Sequence, residues 1–332
     1  PAMTATDELL GPILRDVSRA FYLTLRVLPT AVRPQIGLAY LLARIADTIA
    51  DTTEVPAEKR RKKLRQFRER IRDEGAPPVD FSTILRALDH EGEQRLLQHS
   101  AEAIALLDTT KAADRGQIQL VLETITRGQE LDLERFDGKT LTALQTADDL
   151  DDYTYRVAGC VGEFWTRITR QHCFPDEELD ELHLVQNAIR FGKGLQLVNI
   201  LRDLPADLAA GRCYLPAVDL AMADLEPADL REPKNWLQLE PVFRPWLELA
   251  EEHLAAGAHY NQQIPHVHYR LRLACAWPLL MGRRTLDRVR ESNPLEPSER
   301  RKITRAQVRG ILFGTAMRVP FRGAWQRLLV RE

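Results

Sequence analysis

Residues 194–207 read Gly-Leu-Gln-Leu-Val-Asn-Ile-Leu-Arg-Asp-Leu-Pro-Ala-Asp. At about 100° per residue, Gln196, Asn199, Asp203 and Asp207 fall on one narrow stripe of a helix. Leu195, Leu197, Val198, Ile200 and Leu201 fill its flanks. A helix this apolar belongs inside a protein, and unpaired carboxylates do not. The stripe therefore calls for a cation in front of it. Pro205 lies between the two carboxylates. Inside a helix it would remove the bond to the Leu201 carbonyl and cost ~3 kcal/mol. A kink or an unwound turn is expected there, setting Asp207 apart from the regular helix that carries Asp203.

A second acidic line lies upstream. Tyr40, Arg44, Asp47 and Asp51 are spaced by 4, 3 and 4, again on one face with apolar flanks. A single DxxxD on a helix is weak. Two of them, each closing a mostly apolar helix, suggest four carboxylates facing each other across a cavity. Mg²⁺ uses one or two carboxylates, several waters and phosphate oxygens, so such helices suit a metal-held diphosphate. The competing reading pairs the helices through Arg44 and Arg202 salt bridges.

The rest of the chain narrows the class. Its 332 residues, 44% hydrophobic and 28% charged, have a net charge of −2. The balance argues against nonspecific nucleic-acid binding as the main business. Cys160, Cys173, Cys213 and Cys275 show no CxxC pair and no zinc spacing, as in reduced thiols of a cytoplasmic protein. There is no signal-like start and no apolar run of about 18 residues. Helical periodicity predicts helices over 6–28, 32–51, 57–72, 81–88, 91–107, 114–135, 142–169, 176–203, 220–223, 236–262, 267–290 and 304–330. The charged run from Lys59 to Arg65 reads as a solvated helix face. Strand alternation is nearly absent, which predicts one all-α bundle.

Several stretches together resemble the squalene/phytoene synthase family of head-to-head prenyl transferases. They are Ser18-Arg-Ala-Phe21, Arg44 to Asp51 as RxxDxxxD, and Tyr153-Thr-Tyr-Arg-Val-Ala-Gly-Cys-Val-Gly162. Gln196 to Asp203 with Asp207, and Gly211-Arg-Cys-Tyr-Leu-Pro216, complete the order. The resemblance runs from about residue 15 to 290. It implies a single-domain, all-α isoprenoid-synthase bundle with a central active-site cavity. It implies Mg²⁺, with Mn²⁺ as the alternative ion, held with prenyl diphosphates by Asp47, Asp51, Asp203 and Asp207. Ser18, Arg19 and Arg44 would hold diphosphate oxygens, and Tyr153 matches the family's catalytic tyrosine. Gln196 and Asn199 would line the site, and Tyr40 and Arg212 join the substrate-binding set. Among Phe21, Tyr40, Phe164, Trp165 and Trp277, Phe21 is favoured to face an allylic cation, because it lies inside a matched motif. Gly159 and Gly162 allow close backbone approach. One departure is Ala206, where many members carry an acidic residue.

The tracts Ala158-Gly-Cys-Val-Gly-Glu-Phe-Trp165 and Ala276-Trp-Pro-Leu-Leu-Met-Gly-Arg-Arg-Thr-Leu286 look most like bacterial squalene synthases. That implies condensation of two farnesyl diphosphates through presqualene diphosphate, then NADPH reduction to squalene. Lys302 and Arg305 lie near where that subgroup carries basic residues linked to NADPH or diphosphate; a solvated basic face is the other reading. No GxGxxG follows a strand, so no Rossmann site is expected. The rivals are a synthase that stops at presqualene diphosphate, dehydrosqualene or phytoene, and a non-catalytic assembly factor of the same fold. Segment 304–332, with Arg318, Arg322, Arg327 and Arg331, either docks on the bundle or touches membrane. Pro320 and Gly323 argue against one continuous helix there. Oligomeric state is left open.

Overall fold

The computed structural model describes residues 5–18 and 21–330. Arg19 and Arg331, both singled out above, lie outside the described residues. The chain is all-α, as its periodicity predicts. Among the described residues the one strand pairing joins Thr142–Ala143 to Arg212–Cys213 in parallel. Contacts group the chain into two compact units, Pro1–Glu134 with Phe164–Asp176, and Arg135–Glu163 with Glu177–Glu332.

The first unit is built on the helix Arg33–Asp51, which starts with Pro34 in its first turn. Leu41, Leu42, Ile45 and Ile49 are fully buried along one side, against helices Ala57–Arg72, Glu91–Gln98 and Ser100–Asp108. Its carbonyl end is capped from outside. Thr52 Oγ1 donates to the Thr48 carbonyl at 2.5 Å, and Arg60 donates to the Ala50 and Val55 carbonyls. Arg60 is therefore buried, which corrects the reading of the 59–65 run as a solvated face. The run's other arginines bridge helices instead: Arg61 pairs with Glu134, and Arg65 with Glu130 at 2.7 Å. Asp114, almost fully buried, accepts from Gln35 at 3.1 Å and Gln171 at 3.2 Å and faces His172 at 2.8 Å.

The second unit centres on helices Glu181–Arg202 and Trp236–Gln263, which pack along one another, with Tyr269–Glu291 beside both. A Cβ on Gly162 would collide with the Ala188 carbonyl, and one on Gly192 with the Ala158 carbonyl. The backbones meet there with nothing between them, as expected for Gly162.

Where sequence and structure differ, the reasons are local. The predicted helix 142–169 begins at Ala147, because Thr146 and Asp149 form a capping box. Residues ahead of it are drawn off into the strand pair. The stretch Tyr155–Gly159 inside it is π-helical. Helix 91–107 breaks at His99 into Glu91–Gln98 and Ser100–Asp108. Helix 176–203 starts later, at Glu181, where the Asp180 side chain accepts from the His183 backbone at 3.0 Å. Segment 304–330 is two helices, Arg305–Arg318 and Arg322–Leu329, divided at Pro320 as expected. It docks on the unit: Trp325 is fully buried, its Nε1 donates to Asn261 Oδ1 at 3.0 Å, and Trp277 Nε1 donates to Thr315 Oγ1 at 2.9 Å. All four cysteines are free thiols. Burial pushes Cys160 and Cys213 up to about 12, which leaves them inert. No helix among the described residues is long and apolar enough to cross a membrane.

One buried histidine gives this unit a pH response. His253 is 8% exposed and accepts from Arg190 Nε at 3.3 Å. Burial, then the charges of Arg190 and Lys193, pulls it down to about 4, with Asp151 pulling the other way. A depressed histidine stabilises the fold fully above its unfolded value of about 6.5, and loses that contribution as pH falls towards 4. The linkage amounts to about 3 kcal/mol. Thermal unfolding across this range is expected to show the loss, and His253→Gln to flatten it. An unchanged profile in the variant would remove His253 as the source.

Candidate active site

Both acidic lines reach a helix C-terminus. Asp47 and Asp51 occupy the last turn of Arg33–Asp51, and Asp203 is the C-cap of Glu181–Arg202. The helix dipole is negative at that end, so it repels carboxylates and favours cations. Asp47, Asp51 and Asp203 stand against this preference and need compensation, whereas Asp207 lies in the first turn of the next helix, Leu204–Ala209, whose dipole favours it.

At the first line, Gln129 Nε2 donates to Asp47 Oδ1 at 2.6 Å, and Arg44 lies 3.5 Å from Asp47 Oδ2. Arg44 spends its closer contact on Glu93, at 2.5 Å. Burial pushes the Asp47 carboxyl up to about 6; Arg44 opposes this and Asp51 adds to it. Yet 39% of the Asp47 side chain is open to solvent. A carboxylate packed about by protein yet partly open to water is one that a hydrated ion can reach. Phe21 and Tyr40 stack with ring centroids 5.1 Å apart, so the two aromatic residues act as one face.

The second line breaks as Pro205 predicts, but one turn is handled differently. The helix stops at Arg202, Asp203 adopts φ −97° and ψ 11°, and a new helix Leu204–Ala209 begins with Pro205 in its first turn. A proline there loses no hydrogen bond. Asp207 N donates to the Asp203 carbonyl at 3.0 Å, which keeps the two aspartates one turn apart across the break. Arg202 Nε donates to Asp203 Oδ1 at 2.8 Å, and Arg212 to Asp207 at 3.3 Å. Burial pushes Asp207 up to about 6, Arg212 opposing and Asp203 adding. Gln196 is half-buried and Asn199 exposed, and neither side chain is hydrogen-bonded among the described residues. In both lines the arginine pairs with an aspartate of its own line, Arg44 with Asp47 and Arg202 with Asp203, whereas the competing reading has these arginines pair the two helices.

Tyr153 stacks on Tyr214, centroids 4.6 Å apart, and its hydroxyl donates to Tyr214 Oη at 3.2 Å. The strand pair places Tyr214: Leu144 N donates to the Cys213 carbonyl at 3.0 Å, and Gly211 turns the chain at φ +80°. Tyr214 was overlooked in the sequence although it lies inside the quoted 211–216 stretch. Gln129 was missed too, and no local pattern marks it. The third omission is Arg301. It is buried, donates to Ser292 Oγ at 3.0 Å and to the Glu296 carbonyl at 2.6 Å. Burial lowers its pKa, and Glu299, Glu296 and Asp203 pull it back, which puts it within electrostatic reach of the second line. Its neighbours Lys302 and Arg305 are exposed and in no ion pair among the described residues. Of the other aromatic candidates, Phe164 is core, and Trp277 is committed to Thr315.

The donor set fits Mg²⁺ with diphosphate. Among the described residues no three His, Cys, Asp or Glu gather to hold an ion by protein ligands alone. Mg²⁺ asks for fewer, completing its shell with water and phosphate oxygens. Asp47 and Asp207 are raised by burial, with a neighbouring aspartate adding to each, so a cation beside them would favour their ionised forms. Ser18 Oγ and Arg44 Nε are buried donors with no partner among the described residues, as suits an anionic oxygen. For a dinucleotide phosphate, the unpaired charges of Lys302 and Arg305 fit by sign.

The sequence profile described as squalene/phytoene synthase matches residues 14–307. A phytoene synthase of Arthrospira platensis is 29% identical over 274 residues, 75% of each chain. The presqualene diphosphate synthase of Rhodopseudomonas palustris is 30% identical over 245 residues, 72% of each. Among solved structures, TcSQS in a ligand complex superposes with TM-score 0.78 at 20% identity, over 98% of this chain and 92% of that one. At that identity the likeness is one of fold.

Proposed function

The chain belongs to the squalene/phytoene synthase family, and on that premise we propose that it makes squalene as a single isoprenoid-synthase domain. In this reading two farnesyl diphosphates condense head to head with Mg²⁺, and NADPH reduces the presqualene diphosphate that forms. The observation that carries the reading is the pair of acidic lines, Asp47 with Asp51 and Asp203 with Asp207, with burial pushing Asp47 and Asp207 both up to about 6. We place the reaction in the cytoplasm, where four free thiols stay reduced.

Asp47 and Asp51 would hold metal for one diphosphate, and Asp203 and Asp207 for the other. When bound, Mg²⁺ neutralises the leaving diphosphate and acts as a Lewis acid as the C–O bond breaks. Arg44 and Arg212, each steadied by an aspartate of its own line, offer guanidinium N–H groups to diphosphate oxygens. Ser18 Oγ adds a hydroxyl donor. The stacked Phe21 and Tyr40 offer a π face that stabilises an allylic cation without attacking it. Tyr153 holds a movable proton at Oη, oriented by Tyr214, for the released diphosphate. Lys302 and Arg305 would bind NADPH, which supplies the hydride for reduction.

Incubation with farnesyl diphosphate and Mg²⁺, with and without NADPH, followed by mass spectrometry tests this. The expected result is squalene with NADPH and presqualene diphosphate without it. One product in both arms would remove the reduction step and favour the second reading, a presqualene diphosphate synthase, for which the Rhodopseudomonas relative speaks. No product in either arm would leave an assembly factor of the same fold. Tyr153→Phe is expected to lower product formation about a hundredfold, the usual scale for a lost proton donor, with substrate affinity retained. Equal loss of affinity would make Tyr153 a binding residue instead.

A further inference from the structure

Arg44 stands between two carboxylates and is held unevenly by them. Its Nη2 donates to Glu93 Oε1 at 2.5 Å, whereas its Nη1 lies 3.5 Å from Asp47 Oδ2, too far for a good hydrogen bond. Its Nε is buried and has no partner among the described residues. A guanidinium is a rigid planar fork of five N–H donors, so fixing one of them restricts the direction of the others. Glu93 therefore decides where Arg44 points.

Glu93 is itself fixed. It lies in the first turn of helix Glu91–Gln98, where the helix dipole favours a carboxylate, and its backbone N donates to His90 Nδ1 at 3.3 Å. Leu96 and Leu97 of the same helix are buried, and Arg95 pairs with Glu8 at 2.7 Å. Apart from Glu93, Asp47 is the one carboxylate in an ion pair with Arg44 among the described residues. Without Glu93, Arg44 would be drawn across the 3.5 Å gap to Asp47. A fixed cation would then sit against the carboxylate that a metal ion has to reach.

We infer that Glu93 is a positioning residue of the first acidic line: it holds the Arg44 guanidinium off Asp47, which leaves the Asp47 carboxylate for a divalent cation and Arg44 Nε for a diphosphate oxygen. The inference rests on the metal–diphosphate reading of the site and adds to it a residue outside both acidic lines. The alternative is a plain tie between helices Arg33–Asp51 and Glu91–Gln98.

Calorimetric titration of the whole protein with inorganic pyrophosphate, at a series of Mg²⁺ concentrations, tests the role without turnover. Glu93→Ala raises the Mg²⁺ concentration needed for half-maximal pyrophosphate binding about tenfold, the scale of one hydrogen bond to a charged group. Saturating Mg²⁺ restores the binding, because excess ion competes Arg44 off Asp47. Glu93→Gln keeps an acceptor oxygen without the charge and raises the requirement less. In an Arg44→Gln background, Glu93→Ala makes no further difference, since no guanidinium is left to close on Asp47. Glu240→Gln, which alters another arginine pair, changes nothing. Thermal unfolding of each variant is measured alongside. A plain tie predicts a lower melting temperature and an unchanged Mg²⁺ requirement. That result in both Glu93 variants, or an equal shift with Arg44 replaced, would overturn the inference and leave the metal–diphosphate reading standing. No Mg²⁺-dependent pyrophosphate binding by the unaltered protein would overturn both.

Discussion

Asp203→Asn is expected to lower turnover of farnesyl diphosphate about a thousandfold, the scale for removing one electrostatic stabiliser of a developing charge. Its stability should hold. Asp203 is the C-cap of one helix and the N-cap of the next, so the two dipoles oppose and favour its carboxylate together and a neutral amide costs little. Asp47→Asn should behave alike, since burial already pushes that carboxyl up to about 6. The pairing of lost activity with kept stability is the informative part. If these aspartates were simply salt-bridge partners of Arg202 and Arg44, substitution would lower the melting temperature and spare turnover. Kinetics and thermal unfolding on the same preparations decide between the two. Full activity in both variants would end the metal–diphosphate reading.

The second large effect is on folding. Gly192→Ala should destabilise by about 3 kcal/mol or more, the upper range for forcing added volume into a filled contact. The new Cβ would strike the Ala158 carbonyl and lie 3.0 Å from the Gly159 Cα, and backbone cannot swing aside as a side chain can. Gly162→Ala meets the Ala188 carbonyl from the other side of the same crossing and should be as severe. Gly116 provides the contrast. It lies within helix Ala112–Arg135, where an added Cβ would meet nothing within 4 Å. Gly116→Ala should therefore stabilise by about 0.5–1 kcal/mol through the unfolded chain's entropy. Urea midpoints of the three variants give the test; a Gly192→Ala protein as stable as Gly116→Ala would refute the close crossing. Because this crossing supports both Tyr153 and the helix ending at Asp203, surviving Gly192→Ala protein should also lose activity.

Much of this was legible in one dimension. Aspartates four apart on apolar helices are visible because helical geometry alone puts them on one face. Pro205 announced the break before Asp207 for the same reason: a missing N–H is a local fact. Pro320 likewise divided the last segment. Other features had no local sign. Arg60 looks like any member of a charged run until the end of the preceding helix presents it with the Ala50 and Val55 carbonyls. Gln129 is an ordinary helical glutamine until folding brings it 2.6 Å from Asp47, 82 residues away.

By itself, the sequence determined the helical class, the two acidic lines and their interruption, because periodicity, spacing and proline act through bonds and turns of a single chain. Tertiary structure alone decided which polar groups are short of partners. It raised Asp47 and Asp207, set Tyr214 behind Tyr153, buried Arg301 near Asp203, and brought Glu93 to Arg44. Desolvation and pairing depend on what the rest of the chain brings to a residue, and no window of neighbouring sequence contains that information.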